Sequence, residues 1–214
     1  MRLHVIDTGF FKLDGGAMFG VVPKTLWSKN HPPDANNLCT WAMRCLLVED
    51  GDRLILIDNG IGDKQDAKFF GHYDLHGDDS LDASLKKAGF SRDSVTDVFL
   101  THLHFDHCGG SIVRQGDGFA PAFKNATYWS NEHHWRWATK PNAREKASFL
   151  SENILPIQES GQLKFVDIGR RSAEENVYLR DSLPGIDVFV VNGHTDAMMV
   201  PVMTYKGRTM AFMA

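Results

Sequence analysis

Long apolar runs are missing from this chain. No stretch approaches the roughly 20 residues that a membrane-spanning helix needs, so no membrane partner is expected. Cysteine is scarce, with only Cys39, Cys45 and Cys108 among 214 residues. Their odd number and their spacing argue against a disulfide framework and against a zinc ribbon. Free thiols in a reducing cytoplasm are the expectation. Charge of one sign is not in excess either. Twenty-seven acidic residues are interspersed with 23 basic ones, for a formal net charge of −4. That leaves no basic footprint for nucleic acid. At the start of the chain, Asp7 and Gly9 interrupt any apolar core of a secretory signal. Short repeats and low-complexity tracts are lacking as well. The length suffices for one domain, residues 1–214, with a sizeable core.

Histidine and carboxylate are present where they are costly. Three imidazoles and one carboxylate occupy the run His102-Leu103-His104-Phe105-Asp106-His107. It directly follows the apolar Val98-Phe99-Leu100. Neutral imidazole and carboxylate are the usual ligands of zinc and its neighbours. Val95 to Leu100 reads as a buried strand. In an extended segment His102 and His104 point to the same side. Asp106 and His107 come where the chain must turn, because Cys108-Gly109-Gly110 gives it that freedom. One pair can then face one metal, and the next pair a neighbouring metal. A solvated polar loop is the competing reading, and for a lone histidine it would be the better one.

The remaining periodicities place this run in a layered α/β chain. Arg2 to Asp7 reads as a first strand, and Asp14 to Asn37 as an irregular surface loop. Thr40 to Glu49 and Arg53 to Asp58 form a hairpin about Asp50-Gly51-Asp52. Ser80 to Ala88 is a short helix with Ser80 as its cap and Gly89 ending it. Thr127 to Ser130 is a strand, followed by helical segments near Glu132 to Ala138 and Ala143 to Leu155. Leu163 to Val166, Ile186 to Val191, Val200 to Tyr205 and Arg208 to Phe212 read as strands. Strands interleaved with helices predict an α/β fold. His133 and His134 read as surface or pocket-edge residues without a partner. His72 and His76 are not on one helix, since Gly71 and Gly77 flank them. The aromatic residues read individually as core, although some could line an apolar pocket. On residues alone, Asp58 reads equally well as a polar strand end and as a support for the histidine run.

The His-x-His-x-Asp-His run after a strand resembles the signature of the metallo-β-lactamase superfamily. Two further matches follow in the family's order. Leu54 to Gly60 resembles its strand ending in Asp-x-Gly, and Val188 to Thr195 its strand ending in Gly-His-Thr. Asp14 to Lys24 is similar to the N-terminal region of a narrower group. That group holds the quorum-quenching lactonases of N-acyl-homoserine lactones, with methyl-parathion-hydrolase-like enzymes as relatives.

The resemblance implies an αββα sandwich with the metals at one edge between two sheets. It implies that His102, His104 and His194 hold one metal, and that Asp106 and His107 begin a second site. It places Asp58 behind the ligands and makes Asp106 the catalytic carboxylate. Cys108 is then a small neighbour, because His107 already fills the ligand position. Two zinc ions are implied, with iron or manganese as alternatives. The implied reaction is attack on a lactone or related ester of a small-molecule substrate by a metal-activated water. Organophosphate hydrolysis and an iron-containing, non-hydrolytic activity are the alternatives. A homodimer is left open. The family also supplies a bridging Asp just after the last strand and a His nearer the C-terminus. This sequence stops at Ala214, so an incomplete domain, lacking its C-terminal part and active weakly or not at all, is expected.

Overall fold

A computed structural model describes residues 1–169 and 175–214. Its strands are β1 (Arg2–Asp14), β2 (Leu38–Asp50), β3 (Arg53–Ile57), β4 (Asp97–Phe99), β5 (Ile112–Gln115) and β6 (Gly118–Pro121), then β7 (Thr127–Ser130), β8 (Leu163–Phe165), β9 (Val177–Leu183), β10 (Ile186–Val191), β11 (Met198–Tyr205) and β12 (Arg208–Ala211). One sheet has the order β1-β2-β3-β4-β7-β8, a second β12-β11-β10-β9, and β5 pairs with β6 alone.

Alternation explains why the first sheet is apolar on both faces. Cys45, Leu47, Leu54, Leu56 and Val98 face a core shared with helix residues Leu81, Leu85, Trp135, Ala138, Ile154 and Ile157. Their neighbours Leu46, Val48, Ile55, Ile57 and Phe99 face the second sheet, meeting Ile186, Val188, Val190 and Met199. A strand buried on both sides must read as a continuous apolar run. Each large aliphatic residue so buried contributes roughly 1.5–3 kcal/mol. The layers are thus helix, sheet, sheet. Among the described residues no helix joins either apolar cluster of the second sheet.

The parallel part of the first sheet positions the site. β3, β4, β7 and β8 all run the same way. Their carboxyl ends therefore open on one edge, where α/β sheets characteristically bind ligands. β3 delivers Asp58 to that edge, β4 delivers the histidine run, and β7 delivers Asn131 and the helix Glu132–Thr139.

Several local expectations are corrected. β1 continues to Asp14, its register shifting between Asp7 and Phe10. Gly9, at φ 101°, permits that shift. The loop after it carries short helices at Gly15–Phe19 and Lys24–Trp27. Ala143 to Leu155 is not one helix. Asn142 instead folds back to accept from the Arg144 and Glu145 amides, and the α-helix spans Ser151–Glu159. The β5–β6 hairpin turns at Gly116-Asp117, a signal of turn chemistry. β9, rich in exposed and charged residues, was not foreseen as a strand. The helix at Ser80 is as expected, with Ser80 Oγ accepting from the Ala83 amide at 3.3 Å.

Candidate metal centre

Asp58 organises the edge. It is 2% exposed and sits at φ 56°, in the left-handed region. Its Oδ1 accepts from the Thr101 amide at 2.9 Å. The Thr101 hydroxyl donates to Oδ2 at 2.8 Å. That hydroxyl has a single proton, so toward His102 Nδ1, 3.0 Å away, it can only accept. The His102 proton therefore lies on Nδ1, and Nε2 carries a bare lone pair. This Nε2 is buried without a hydrogen-bond partner. An unsatisfied buried polar atom costs about 1–3 kcal/mol, a cost that a cation shared with the neighbouring histidines would remove.

Two further ring nitrogens belong to the same cluster. His104 Nδ1 and His194 Nε2 are 3.1 Å apart. Two nitrogens bound at roughly 2.0–2.1 Å to a tetrahedral ion are separated by about 3.3 Å. One donor atom from each of His102, His104 and His194 lies within 4.8 Å of the others. Glu145 Oε2 stands 3.7 Å from His104 Nε2. This favours the proton on that nitrogen and leaves Nδ1 free to bind. Burial, with His194 adding to it, holds His104 down to about 4. Burial and the neighbouring imidazoles push His102 well below the ordinary histidine range. Burial lowers His194 as well, so all three rings are neutral near neutral pH, as metal ligands must be. The residues fit a divalent cation.

Asp106 and His107 form the adjoining half. His107 Nε2 lies 3.3 Å from Asp106 Oδ2, and its Nδ1 donates to Asp58 Oδ2 at 3.0 Å. Burial opposes charge on His107, but Asp106 and Asp58 outweigh it and raise the ring to about 10. Burial likewise opposes the Asp106 carboxylate, but His107 more than compensates and lowers its pKa. Among the described residues, no third histidine, cysteine or carboxylate joins this pair in a group of ligand spacing.

The structure brings His102, His104 and His194 together at ligand spacing, sets Asp106 and His107 as a pair beside them, and puts Asp58 behind. It corrects one dismissed residue. His134 is 1% exposed, and its Nε2 accepts from the Leu103 amide at 2.9 Å. Its position was legible, since 134 shares the inward stripe of its helix with Trp135 and Ala138. Glu145 was missed outright. Its carboxylate accepts from Thr195 Oγ1 at 2.7 Å and Trp137 Nε1 at 3.0 Å. Nothing in Arg144-Glu145-Lys146 signals that role. Cys108 is fully buried and donates to the Leu103 carbonyl. Burial pushes its thiol up to about 12. A cavity of about 260 Å³ adjoins the charged half, lined in part by Phe11, Met43, Cys45, Asp58, Asp106 and His107.

Residues 44–214 match the family model of the metallo-beta-lactamase superfamily. The chain belongs to that superfamily. The metallo-β-lactamase fold is shared with a probable metal-dependent hydrolase from Staphylococcus aureus, at 26% identity and a TM-score of 0.83. That similarity covers 98% of this chain and 71% of the other. AidC, a dizinc quorum-quenching lactonase, aligns at 21% identity and a TM-score of 0.70, over 99% of this chain and 71% of its own. An N-acyl homoserine lactone hydrolase, with N-hexanoyl-L-homoserine at its catalytic metal center, aligns at 20% identity and a TM-score of 0.63. There the coverage is 95% of this chain and 70% of the other. At such identities these last two show the fold alone. No curated protein matches the sequence.

Proposed function

We propose that this superfamily member is a metal-dependent hydrolase, a dinuclear zinc enzyme in its fully loaded form, that opens lactones of the N-acyl-homoserine type. The observation that carries the hydrolase reading is the convergence of His102, His104 and His194, with His102 Nε2 buried and unpaired. A divalent cation held there supplies a polarised substrate carbonyl and a bound water acidified towards a pKa of about 7. The chain's own residues do the rest. Asp106, ionised beside His107, would take the proton of the attacking water and return it to the leaving oxygen. Phe11 and Met43 give the adjoining cavity an apolar wall suited to an acyl chain. The lactone class is supported by the two lactonase neighbours of the same fold.

The test is metal analysis with a hydrolysis screen in excess zinc, against lactones, phosphotriesters and β-lactams. One tightly held ion and a weaker second are expected, because the charged half offers two donors. Lactone opening that disappears with chelator supports the reading. Faster phosphotriester cleavage would replace the lactone with the ester alternative. Tightly bound iron without hydrolysis of any of the three would overturn it.

A further inference from the structure

His104 and His194 are 90 residues apart in sequence, and their loops hang from different sheets. Something must hold the two loops in register. We infer that His134 is a positioning residue for the metal centre, a neutral imidazole that bridges both ligand-bearing loops.

On one side His134 Nε2 accepts from the amide of Leu103, the residue between His102 and His104, at 2.9 Å. On the other, its Nδ1 donates to the carbonyl of Asp196, two residues past His194. A backbone N–H only donates and a carbonyl only accepts, so the two bonds together dictate the tautomer. The proton is on Nδ1, and Nε2 is the acceptor. Among the ring's forms, only this neutral one makes both bonds.

The helix carrying His134 is itself tied to the same loops. Asn131 caps it, its Oδ1 accepting from the His134 amide at 2.8 Å. The Asn131 side chain also donates to the Ala197 carbonyl at 2.9 Å. His133 Nε2 lies 2.7 Å from Asp196 Oδ2. The Asp196-Ala197 bend needs such ties, since Ala197 sits at φ 51°, which a residue with a Cβ adopts at a cost. His134 is 1% exposed, so water cannot replace its bonds. It joins the segment that carries two of the nitrogens to the segment that carries the third. Partners behind metal ligands typically alter affinity by about 10–100-fold when removed.

The inference rests on the reading of His102, His104 and His194 as ligands, and two measurements separate its failure from that of the reading. The first uses Co(II) affinity and the Co(II) absorption spectrum of three variants. His134→Gln places an amide oxygen near the position of Nε2 and keeps the bond to Leu103. His134→Asn reaches only the position of Nδ1 and loses that bond. His134→Leu fills space and makes neither bond. His134→Gln keeps only the bond to Leu103 and His134→Asn only the bond to Asp196, so each should lose affinity by an intermediate amount, about threefold or more. His134→Leu, which severs both sides, should lose the most, about tenfold or more, and show an altered spectrum. Equal affinity in all variants, or a loss in His134→Leu no larger than in the two amide variants, would overturn the bridge and leave a packing role. The second measurement is the ring nitrogen NMR spectrum of the unsubstituted protein without metal. It should show His134 as the neutral Nδ1–H tautomer. The Nε2–H tautomer would overturn the inference whether or not the protein binds an ion. Failure of the parent to bind Co(II), with the Nδ1–H tautomer present, would overturn the metal reading and the proposed positioning role, while leaving the bridge itself in place.

Discussion

The rings of His102 and His107 are 4.0 Å apart, yet they sit in opposite electrostatic settings. His102 is surrounded by other imidazoles and by a hydroxyl that must accept from it, and burial holds it neutral. His107 lies between the carboxylates of Asp58 and Asp106, which keep it charged despite burial. The same side chain is tuned in opposite directions within one short segment. What differs is the element behind each ring. The neutral half is backed by His134 and Glu145, which tie backbone and side chains without placing a carboxylate within hydrogen-bond distance of a ligand ring. The charged half is backed by Asp58 directly. A cation entering the neutral half meets neutral rings and, at His102 Nε2, a lone pair that is already free. One entering the charged half must first displace a proton from His107.

Asp58 belongs to both halves, so removing it should have the largest effect. Asp58→Ala strands the Thr101 amide and hydroxyl and leaves His107 charged with one carboxylate fewer. Breaking a buried charged pair by removing one partner costs about 3–5 kcal/mol. Urea denaturation of the metal-free protein should show a loss of that size. Asp58→Asn should lose clearly less, because it keeps an acceptor for Thr101 and tolerates φ 56°. Equal losses would mean that the acceptor kept by asparagine contributes nothing and that the carboxylate charge carries the whole effect.

Acidity should separate the two halves next. His104 and His134 fall from 6.5 to about 4 in the fold. Their folded values are below the unfolded one, so the unfolded chain protonates first. Their stabilisation is complete above pH 6.5 and is lost as pH falls through 4. For His134, in which burial dominates, the loss is about 3 kcal/mol. His107 behaves in the opposite sense. Its folded value is raised to about 10, so its stabilisation is complete below pH 6.5 and fades above it. The metal-free protein should therefore be most stable close to pH 6.5. Lys64, lowered by burial to about 8, gains stability only above that value, so the window from 6.5 to 8 isolates His107. His107→Gln should abolish the decline in that window and leave the acid limb intact. A decline that persists in the variant would place its origin elsewhere.

The contrast also shows what could be read beforehand. The histidine run was legible because its residues share one strand end, where spacing alone sets direction. Asp58 and His194 were singled out through the family resemblance, since residues alone left Asp58 open between a polar strand end and a support; the structure shows both following apolar strands whose carboxyl ends reach the same edge. Glu145 was not legible. It acts through Thr195 and Trp137, contacts made by tertiary packing with no local signature. His134 lay between these cases. Its helical stripe was visible, but its partners, the Leu103 amide and the Asp196 carbonyl, are backbone groups that no residue pattern announces. The β5–β6 hairpin and β9 were missed because both are short and exposed, so that burial did not impose a hydrophobic period on them.

The smallest expected effect tests whether Cys108 belongs to either half. Its thiol is fully buried, donates to the Leu103 carbonyl at 3.3 Å, and is raised by burial to about 12. It therefore stays protonated near neutral pH, whereas a metal ligand must be a thiolate. Serine keeps a donor for the same carbonyl and is only slightly smaller. Cys108→Ser should thus cost about 1 kcal/mol of stability and leave the affinity for the tight ion unchanged. Asp106→Asn should do the reverse. It loses the charge facing His107, so binding of the weaker, second ion and hydrolysis should fall while the first ion stays bound. Paired zinc titrations of the two variants decide the matter. If Cys108→Ser weakened either ion as much as Asp106→Asn weakened the second, the thiol would have to be counted among the ligands. The division into a neutral and a charged half would then need a third member.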